Sequence, residues 1–321
     1  MALTLAQIQN LAVEWNVKQS PLILADLLKR SGFLQTALIR KASDGFKHKY
    51  KWFTELPTAT FRSIGGSVVP TTISKDKAAI DLWNAVIYPK ADYKDVEENP
   101  GGKNGWVAAN MPGITAGFGQ SLAKQCFYGT DPTFGSTNGF LGLHQYAKAL
   151  GNVTAQLGGT TGSRNTLFAV RWEENDGASI RIGAGDNLIN IRDLTPAAPT
   201  TTVVNTTTGA ETLDYKWLVD AFLALIIPSK TSVAAITQID ATHVPTVTQI
   251  NDLIDAVDTG SGKIYLYGNN KVRSMIWNLK NTALKLAPSD TDYNVQVLSW
   301  NGMADFSLDQ NLVSSETTVL D

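Results

Sequence analysis

The sequence predicts an α+β fold, in which a few helices are combined with many short strands. Two changes of pattern predict it. Near the N-terminus, apolar residues recur at helical spacing, with Ile23, Leu24, Leu27 and Leu28 on one stripe. Within residues 46–55 the spacing changes to strict alternation, which is typical of a strand. Several later segments also read as strands, and no internal repeat with a fixed period is found.

Composition narrows the classes of protein that fit. Only 17% of the 321 residues are charged, against roughly 25% in ordinary soluble domains. Such a chain either buries surface against neighbours or carries a neutral surface rich in Thr and Asn. The net charge of -2 gives no basic excess for sequence-specific nucleic-acid binding or for an anionic membrane.

The cysteine content and the lengths of the apolar segments indicate the cellular compartment in which the chain is expected. Cys126 is the single cysteine, so no intrachain disulfide forms, which suits a cytoplasmic chain. We expect no signal peptide, because Glu14 and Trp15 interrupt the first apolar run. The longest apolar stretch, Trp217 to Ile227, is too short to span a bilayer, so no membrane contact is expected.

The N-terminal region predicts two helices. Thr4 can cap a first helix over Leu5 to Trp15. A second helix has Ser20 as its cap and Pro21 at its first position, and Gly32 is expected to end it.

Residues 46–80 predict a long hairpin. In the first strand, Phe46, His48, Tyr50 and Trp52 occupy one face and three lysines the other. Thr58 to Ile64 and Ser67 to Ile73 read as two further strands around a tight Gly65-Gly66 turn. A lone hairpin is marginally stable in water, so it needs a surface such as a neighbouring subunit. The alternative is a solvated basic strand. The candidate inter-subunit contacts are Lys47, Lys49, Lys51, Arg62, Gly65 and Gly66.

The middle of the chain predicts one long helix with a defect. Residues 81–98 read as a half-buried extended segment, and Trp106 to Tyr128 as helical. Pro112 followed by Gly113 predicts that regular helix begins only near Ile114. Phe118, Leu122 and Cys126 are then expected to face a sheet made with the C-terminal strands, whereas Gln120 and Lys124 face away.

The second half of the chain predicts mostly strands. Thr166 to Ile182 reads as a hairpin, and the Thr-rich, Pro-rich residues 195–212 as a surface loop or insertion. A short helix is expected at Leu253 to Val257. The remaining expectations are a strand at Lys263 to Tyr267, a helix at Asn270 to Leu286, and extended segments at Asn294 to Trp300 and Ala304 to Val319.

The sequence contains few motifs that are typical of catalytic or ligand-binding sites. No phosphate-binding loop or dinucleotide fingerprint is found, and His48, His144 and His243 have no metal-ligand spacing. We therefore expect no cofactor and no metal. Cys126 is expected to be a core residue, and packing is the better interpretation of His48.

One string has the form of an active-site motif. Asp258-Thr259-Gly260-Ser261 matches that of aspartic proteases, which need two such aspartates sharing a proton. The chain has one copy, and Asp with Gly before a strand simply makes a turn. We therefore expect no enzyme activity. A hydrolase that uses Asp258, completed by a dimer, remains the alternative.

Several short motifs occur in a defined order along the chain. The first motif is Leu56-Pro57-Thr58, followed by Phe61-Arg62, Gly66 and Pro70-Thr71-Thr72. The second is Phe127-Tyr128-Gly129, followed by Asp131-Pro132, Phe134 and Phe140-Leu141-Gly142-Leu143. The other three are Asn165 to Trp172 with Gly177, Lys263 to Met275 with Tyr267, Asn270 and Arg273, and Gly302 to Val319 with Asp309 and Ser315-Glu316. Together they resemble the major capsid proteins of tailed bacteriophages, which have the HK97-like fold. The resemblance covers most of the chain, but residues 195–260 match poorly.

The resemblance implies a domain plan. Residues 1–45 would form an N-terminal arm and residues 46–80 an extended β-hairpin loop. A peripheral domain carrying a spine helix would comprise residues 81–129 and 292–321, and residues 130–291 would form an axial domain.

The resemblance also implies a function. The chain would be a structural subunit that self-assembles into hexamers and pentamers of an icosahedral phage head around double-stranded DNA. It would be assembled in the host bacterial cytoplasm and reside in the virion. Its partners would be itself, a portal and, where assembly requires them, separate scaffolding or decoration proteins, with non-specific contact to packaged DNA. An encapsulin-like nanocompartment shell of the same fold is the nearer alternative, although no cargo-binding pocket is visible in the sequence.

Overall fold

A computed structural model describes residues 31–53, 64, 75–131, 133–174, 176–183, 188–195, 198–205, 210–279, 284–287, 297–300 and 302–317. The first predicted helix and most of the second lie outside these ranges, as do Arg62, Gly65 and Gly66 of the predicted hairpin tip. Gly32, predicted to end the second helix, is instead the first residue of a described helix. A Cβ atom there would collide with the carbonyl oxygen of Leu308, so close packing requires the glycine.

The described chain contains six α-helices and sixteen β-strands. The helices are α1 Gly32–Thr36, α2 Tyr93–Glu97, α3 Gly102–Tyr128, α4 Leu143–Ala149, α5 Val247–Asp255 and α6 Asn270–Asn278. The first eight strands are β1 Ile39–Lys41, β2 Lys47–Phe53, β3 Lys75–Asp81, β4 Trp83–Ile87, β5 Lys90–Asp92, β6 Val153–Gln156, β7 Asn165–Trp172 and β8 Ser179–Ile182. The others are β9 Asn190–Asp193, β10 Thr200–Asn205, β11 Ala210–Ile226, β12 Val233–Ile239, β13 Lys263–Gly268, β14 Leu284–Ala287, β15 Val297–Trp300 and β16 Ala304–Leu308.

The first sheet is organised around the 17-residue strand β11. Along one edge β11 pairs in turn with β10, β9 and β8, and β1 continues the sheet beyond β8. Along its other edge it pairs with β5 and β4. Val219 shows that these are opposite edges, because it pairs with Ile191 of β9 and with Ile87 of β4.

The second sheet has the strand order β14-β15-β16-β13-β7-β12-β6. Its central strand β7 is buried at every residue, as expected for a strand covered on both faces. Helices α5 and α6 cover one face and bury Ile250, Leu253, Val272 and Ile276 there. The other face joins a core cluster that also contains α3 and the β11 sheet. The two sheets therefore contribute side chains to one common core.

A two-stranded ribbon, β2 with β3, pairs with neither sheet within the described residues. Its antiparallel register runs from Lys47 opposite Asp81 to Phe53 opposite Lys75. The strand predicted from alternation in residues 46–55 is therefore confirmed. Seven residues at about 3.3 Å per residue give a ribbon at least roughly 20 Å long.

The long helix α3 is unbroken, so the predicted break at Pro112 is wrong. Tertiary packing outweighs the proline penalty of about 3 kcal/mol. Trp106, in the first turns, stacks on Trp217 of β11 with ring centroids 4.7 Å apart. Met111, next to the proline, is 1% exposed. The Asn110 side chain also donates to the Trp106 carbonyl oxygen at 3.0 Å.

The buried face of α3 is the predicted one. Phe118, Leu122 and Cys126 are buried, whereas Gln120 and Lys124 are exposed. The three buried residues belong to a core cluster that contains inward side chains of the β11 sheet and also of β7, β12 and β13 in the second sheet. Buried residues of β15 and β16 lie in the other cluster. The predicted sheet therefore shares the core with this face, although not through its C-terminal strands β15 and β16.

The hairpin predicted at Thr166 to Ile182 is also wrong. Both strands form, but β7 pairs with β12 and β13, whereas β8 pairs with β1 and β11. Between them the chain crosses from one sheet to the other, and only an isolated bridge joins Trp172 to Ala178. Alternation and turn residues indicated two strands, but they do not specify which partner each strand takes.

Two segments change type relative to the sequence expectations. Within residues 195–212, expected as a loop, β10 pairs antiparallel with the start of β11. Thr and Val favour strands, and the low charge of this segment concealed that preference. The helix expected over Asn270 to Leu286 ends at Asn278, and Leu284 to Ala287 form β14. The helix expected at Leu253 to Val257 begins earlier, at Val247, where Thr246 caps it.

Candidate assembly surfaces

The β2–β3 ribbon is attached to the body at a short base. The Leu82 backbone N–H donates to the Phe46 carbonyl oxygen at 2.9 Å, which closes the base. The Phe46 ring contacts Phe222 of β11 edge-on, with centroids 5.9 Å apart, although Phe46 is 66% exposed. The ribbon therefore leaves the body next to the long central strand.

One ribbon face carries the predicted lysines. Lys47 and Lys49 are exposed, and the register pairs Lys51 with Lys77. The Lys47 ammonium lies 3.0 Å from an Asp81 carboxylate oxygen, with both side chains more than half exposed. An ion pair in that setting contributes little stability, so the lysine face remains available for other partners.

His48, on the opposite ribbon face, packs as the sequence predicted. Its ring is half-buried and stacks on Tyr50 with centroids 6.2 Å apart. Its Nδ1 accepts a hydrogen bond from the Ser43 backbone N–H at 3.1 Å. Burial, and then the charge of Arg181, lower the pKa of His48 to about 4. The imidazole is therefore neutral at pH 7.

A buried carboxylate ties the C-terminal segment to α3 and β7. The hydroxyl of Tyr128, the last residue of α3, donates to Glu316 Oε1 at 3.0 Å. The Thr166 hydroxyl donates to Glu316 Oε2 at 2.6 Å. Burial raises the pKa of Glu316 to about 7, against the lowering effect of these two hydrogen bonds. The Tyr128 oxygen also accepts from the Val313 backbone N–H at 2.8 Å, so the segment is held twice.

A second carboxylate, Asp309, ties the same C-terminal segment to α1. Its Oδ2 accepts from the Ser31 hydroxyl at 2.7 Å and from the Phe33 backbone N–H at 2.9 Å. Asp309 is fully buried, and an acidic group at a helix N-terminus is favourable. Residues 276 positions apart in sequence are thereby held together.

Arg171 lies where the chain crosses between the two sheets. Its guanidinium is fully buried and pairs with Glu173 and, at 3.0 Å, with Asp176. Its Nε donates to the Thr231 carbonyl oxygen at 3.2 Å. Glu173 and Asp176 lie in the segment that crosses from β7 to β8, and Thr231 lies just before β12. Arg171 therefore holds β7, the crossing segment and the start of β12 together.

The aspartic-protease string forms a turn. Asp258 is exposed, and its Oδ1 accepts from the Gly260 backbone N–H at 2.8 Å. Gly260 and Gly262 have φ values of 76° and 81°, which favour glycine. A pair of aspartates sharing a proton would need a second copy brought to this exposed turn.

Two further reactive side chains are buried. Cys126 is fully buried, as predicted, and burial raises the pKa of its thiol. His144 is buried as well, and burial lowers its pKa to about 4. Within the described ranges, no group of His, Cys, Asp and Glu has the arrangement of a metal site. None of the helices in that part of the chain has the length and apolarity that a membrane span needs.

Large apolar side chains on the surface were not singled out from the sequence. Trp83 and Tyr88, at either end of β4, are 45% and 69% exposed, and Trp277 on α6 is 52% exposed. A signal existed for Trp277, because it lies off the Val272 and Ile276 stripe of its helix. Exposed aromatic residues are typical of protein interfaces.

The fold has counterparts among solved structures, although the sequence does not match a known family. No family model matches the sequence, and no curated protein sequence is similar to it. A chain from the cryo-EM structure of bacteriophage Epsilon15 matches over 88% of both chains, with 17% identity and a TM-score of 0.57. Chains from the bacteriophage JBD30 capsid, and from that capsid decorated with minor capsid protein trimers, cover 88% of this chain and 91% of their own. Their identities are 16% and 13%, with TM-scores of 0.47 and 0.48.

The match to the Epsilon15 chain extends over both sheets rather than one motif, because it covers most of each chain. The chain has the HK97-like fold. The α+β class predicted from the sequence is therefore confirmed.

Proposed function

We propose that this chain is the major capsid protein of a tailed bacteriophage, a structural subunit of an icosahedral head around double-stranded DNA. The observation that carries the proposal is the HK97-like fold along 88% of the chain, together with a ribbon that pairs with neither sheet in the described residues. A ribbon of two strands is marginal in water and gains stability when it lies on a neighbour. The low charged fraction, 17%, agrees with a chain that buries much of its surface in an assembly.

The ribbon is the proposed arm between copies. Residues 46–80 would lie on an adjacent subunit, with Lys47, Lys49, Lys51 and Arg62 facing acidic groups there and Gly65-Gly66 at the tip. The exposure of Lys47 and Lys49 supports this role. Heterologous contacts of this kind close around five-fold and six-fold axes, which pentamers and hexamers require.

The strand pairing supports a division of the chain that differs from the one expected from sequence. The sheet around β11, packed on α3, would form the peripheral domain, so residues 210–226 join it rather than the axial domain. β15 and β16 pair towards β13, so residues 297–308 would belong to the axial domain with that sheet. β1 would join the peripheral domain as well, because it pairs with β8, so the proposed arm is shortened to the residues before α1.

The proposed role is not catalytic, and the partners follow from it. The chain would bind itself, a portal and, where assembly requires them, separate scaffolding or decoration proteins, and would touch packaged DNA without sequence preference. It would be assembled in the host bacterial cytoplasm and reside in the virion. A nanocompartment shell of the same fold is the second candidate, and the fold alone supports both.

Electron microscopy of the purified chain tests the proposal. Closed shells, or rings of five and six copies, are the expected result, and large shells that contain DNA during infection would distinguish a phage head from a small cargo-filled compartment. A chain that stays monomeric at every concentration, alone and with the other head proteins, would contradict it. A peptidase assay that gave activity lost in Asp258→Asn would favour the hydrolase alternative.

A further inference from the structure

The second sheet carries two neighbouring segments of opposite charge. Residues 231–262 contain four aspartates and no Lys or Arg. Residues 263–289 contain five Lys or Arg and no Asp or Glu. The first segment includes α5 and the turn after it, and the second includes α6. In the structure, Asp252, Asp255 and Asp258 are exposed around the end of α5, and Lys271 and Arg273 are exposed on α6.

The acidic surface includes a shallow cleft next to the end of α5. Asp258, Gly260, Gly262, Gly302, Met303 and Asp305 contribute to its lining. The three glycines have φ values between 75° and 81°, so the turns are tight and no side chain fills the cleft from them. Met303 is 46% exposed and provides an apolar wall. The cleft can therefore receive a large side chain that has an apolar body.

Three aspartates of α5 and of the turn after it have no ion pair among the described residues. Asp252, Asp255 and Asp258 are exposed, and none forms an ion pair there. Asp305 pairs with Lys263 at 3.1 Å. The three unpaired carboxylates therefore favour a cationic partner that comes from outside this part of the subunit.

The basic surface is the outer face of α6. Arg273 and Trp277 are four residues apart, so their side chains lie on the same helix face. Trp277 is 52% exposed, and Lys271 and Arg273 are exposed as well. Neither cation has an ion pair among the residues the structure describes. Trp and Arg are the side chains that most often anchor protein interfaces.

The two surfaces are attached at opposite ends of one strand. Lys263 and Ile264, at the start of β13, line the cleft, whereas α6 begins just after β13 ends at Gly268. A ring of identical copies needs two different, complementary surfaces on each subunit. Nucleic acid would neutralise the basic surface but would be repelled by the acidic one. A second copy of this chain satisfies both.

We propose that Trp277 and Arg273 of one copy dock into the cleft beside Asp258 of the next copy around a ring. In this contact the Trp277 ring packs against Met303 of the neighbour, and Arg273 pairs with Asp258. The inference rests on the proposed shell function, because it requires copies arranged head to tail. It adds a contact within each ring that is separate from the β2–β3 ribbon.

A charge exchange tests the pairing. Asp258→Arg and Arg273→Asp should each weaken ring formation roughly 10-fold or more, and the double variant should restore much of the loss. Trp277→Ala should weaken it comparably, whereas Leu194→Ala, which truncates a similarly exposed side chain on the other sheet, should not. Circular dichroism of unassembled subunits checks that every variant is folded, and mass photometry measures the rings.

Cross-linking tests the contact directly. Thr259→Cys combined with Asn278→Cys places exposed thiols beside the two surfaces, while the native Cys126 is buried. A short bismaleimide should join assembled copies into covalent rings, and neither single-cysteine variant should extend beyond dimers. Wild-type chain that never assembles would contradict the shell function. Rings that form normally in the folded single charge variants, or loss of DNA retention without loss of assembly, would overturn the docking proposal alone.

Discussion

Glu316 lies with both carboxylate oxygens buried between α3 and β7, and this placement makes the fold sensitive to pH. It accepts from Tyr128 and Thr166, with the negative charge of Asp131 raising its pKa and the positive charge of Arg164 lowering it. Folding raises the pKa from an ordinary 4.5 to about 7, so the folded state holds the proton more tightly than the unfolded chain.

The sign of the pH dependence follows from that shift. The stabilisation from Glu316 is complete below pH 4.5 and is lost as pH rises through about 7. The loss is on the order of 3 kcal/mol. Glu316→Gln, which cannot titrate, should flatten the dependence of the unfolding free energy on pH in this window. Urea unfolding of unassembled subunits measures it.

The matched control is Glu98→Gln, which changes an exposed glutamate on the surface. This variant should keep the pH dependence of the wild type. An unchanged slope in Glu316→Gln would contradict the role given to the buried carboxylate.

The sequence named Glu316 only as part of a motif and assigned it no role. Its partners lie 188 and 150 residues away, so no local spacing could indicate them. By contrast, the burial of Cys126 and the packing of His48 were predicted, because their own segments show regular alternation or helical spacing. The local sequence pattern indicates which face of a helix or strand a side chain occupies, but it does not indicate which residues the side chain contacts there.

At the scale of the element, the buried face of α3 gives a direct test of the packing. Leu122 is 3% exposed among the residues that meet the β11 sheet. Leu122→Asp buries an unpaired charge and should leave the subunit misfolded and unable to assemble. Lys124→Ala, on the exposed face two residues away, should change stability by less than about 0.5 kcal/mol. Thermal unfolding of both variants gives the comparison, and a folded, soluble Leu122→Asp subunit would contradict the assignment of the face.

The ribbon gives a second test at this scale. Replacing Lys47 and Lys49 together with Glu should reduce shell assembly while the subunit stays folded, because both side chains are exposed. Lys148→Glu, a charge reversal on the exposed side of α4, is the control and should have little effect. Shell yield by sedimentation measures the difference. Normal assembly of the doubly reversed ribbon would favour a solvated basic strand.

The sequence predicted where strands and helices form better than it predicted which strands pair with each other. Strands β2, β7, β8 and β13 were located from alternation, but the partners of β7 and β8 were assigned wrongly because partner choice is a long-range property. At Pro112 the local rule gives the cost of a proline, but tertiary packing along the whole helix, including the stack of Trp106 on Trp217, outweighs it. That stack joins residues 111 positions apart, which no window of the sequence contains.

At the scale of the whole molecule, we expect assembled shells to be held without covalent links between subunits. Lys75 and Lys77, on β3, would be the donors by position, but the sequence shows no acceptor signature. When mature particles are boiled in detergent, this chain should therefore run as a single band of 34.7 kDa on a denaturing gel. A ladder of multimers that survives reducing agent would contradict this expectation.

β11 also determines when the chain can fold. Strands β4, β5, β8, β9 and β10 all take β11 as their partner, and all precede it in the chain. A nascent chain that ends before residue 210 therefore holds five strands whose common partner has not yet been made. Contacts between distant residues also slow folding, because loop closure must precede them. The first sheet therefore forms only after about two thirds of translation, and until then its open strand edges depend on the ribosome and chaperones to keep them from aggregating.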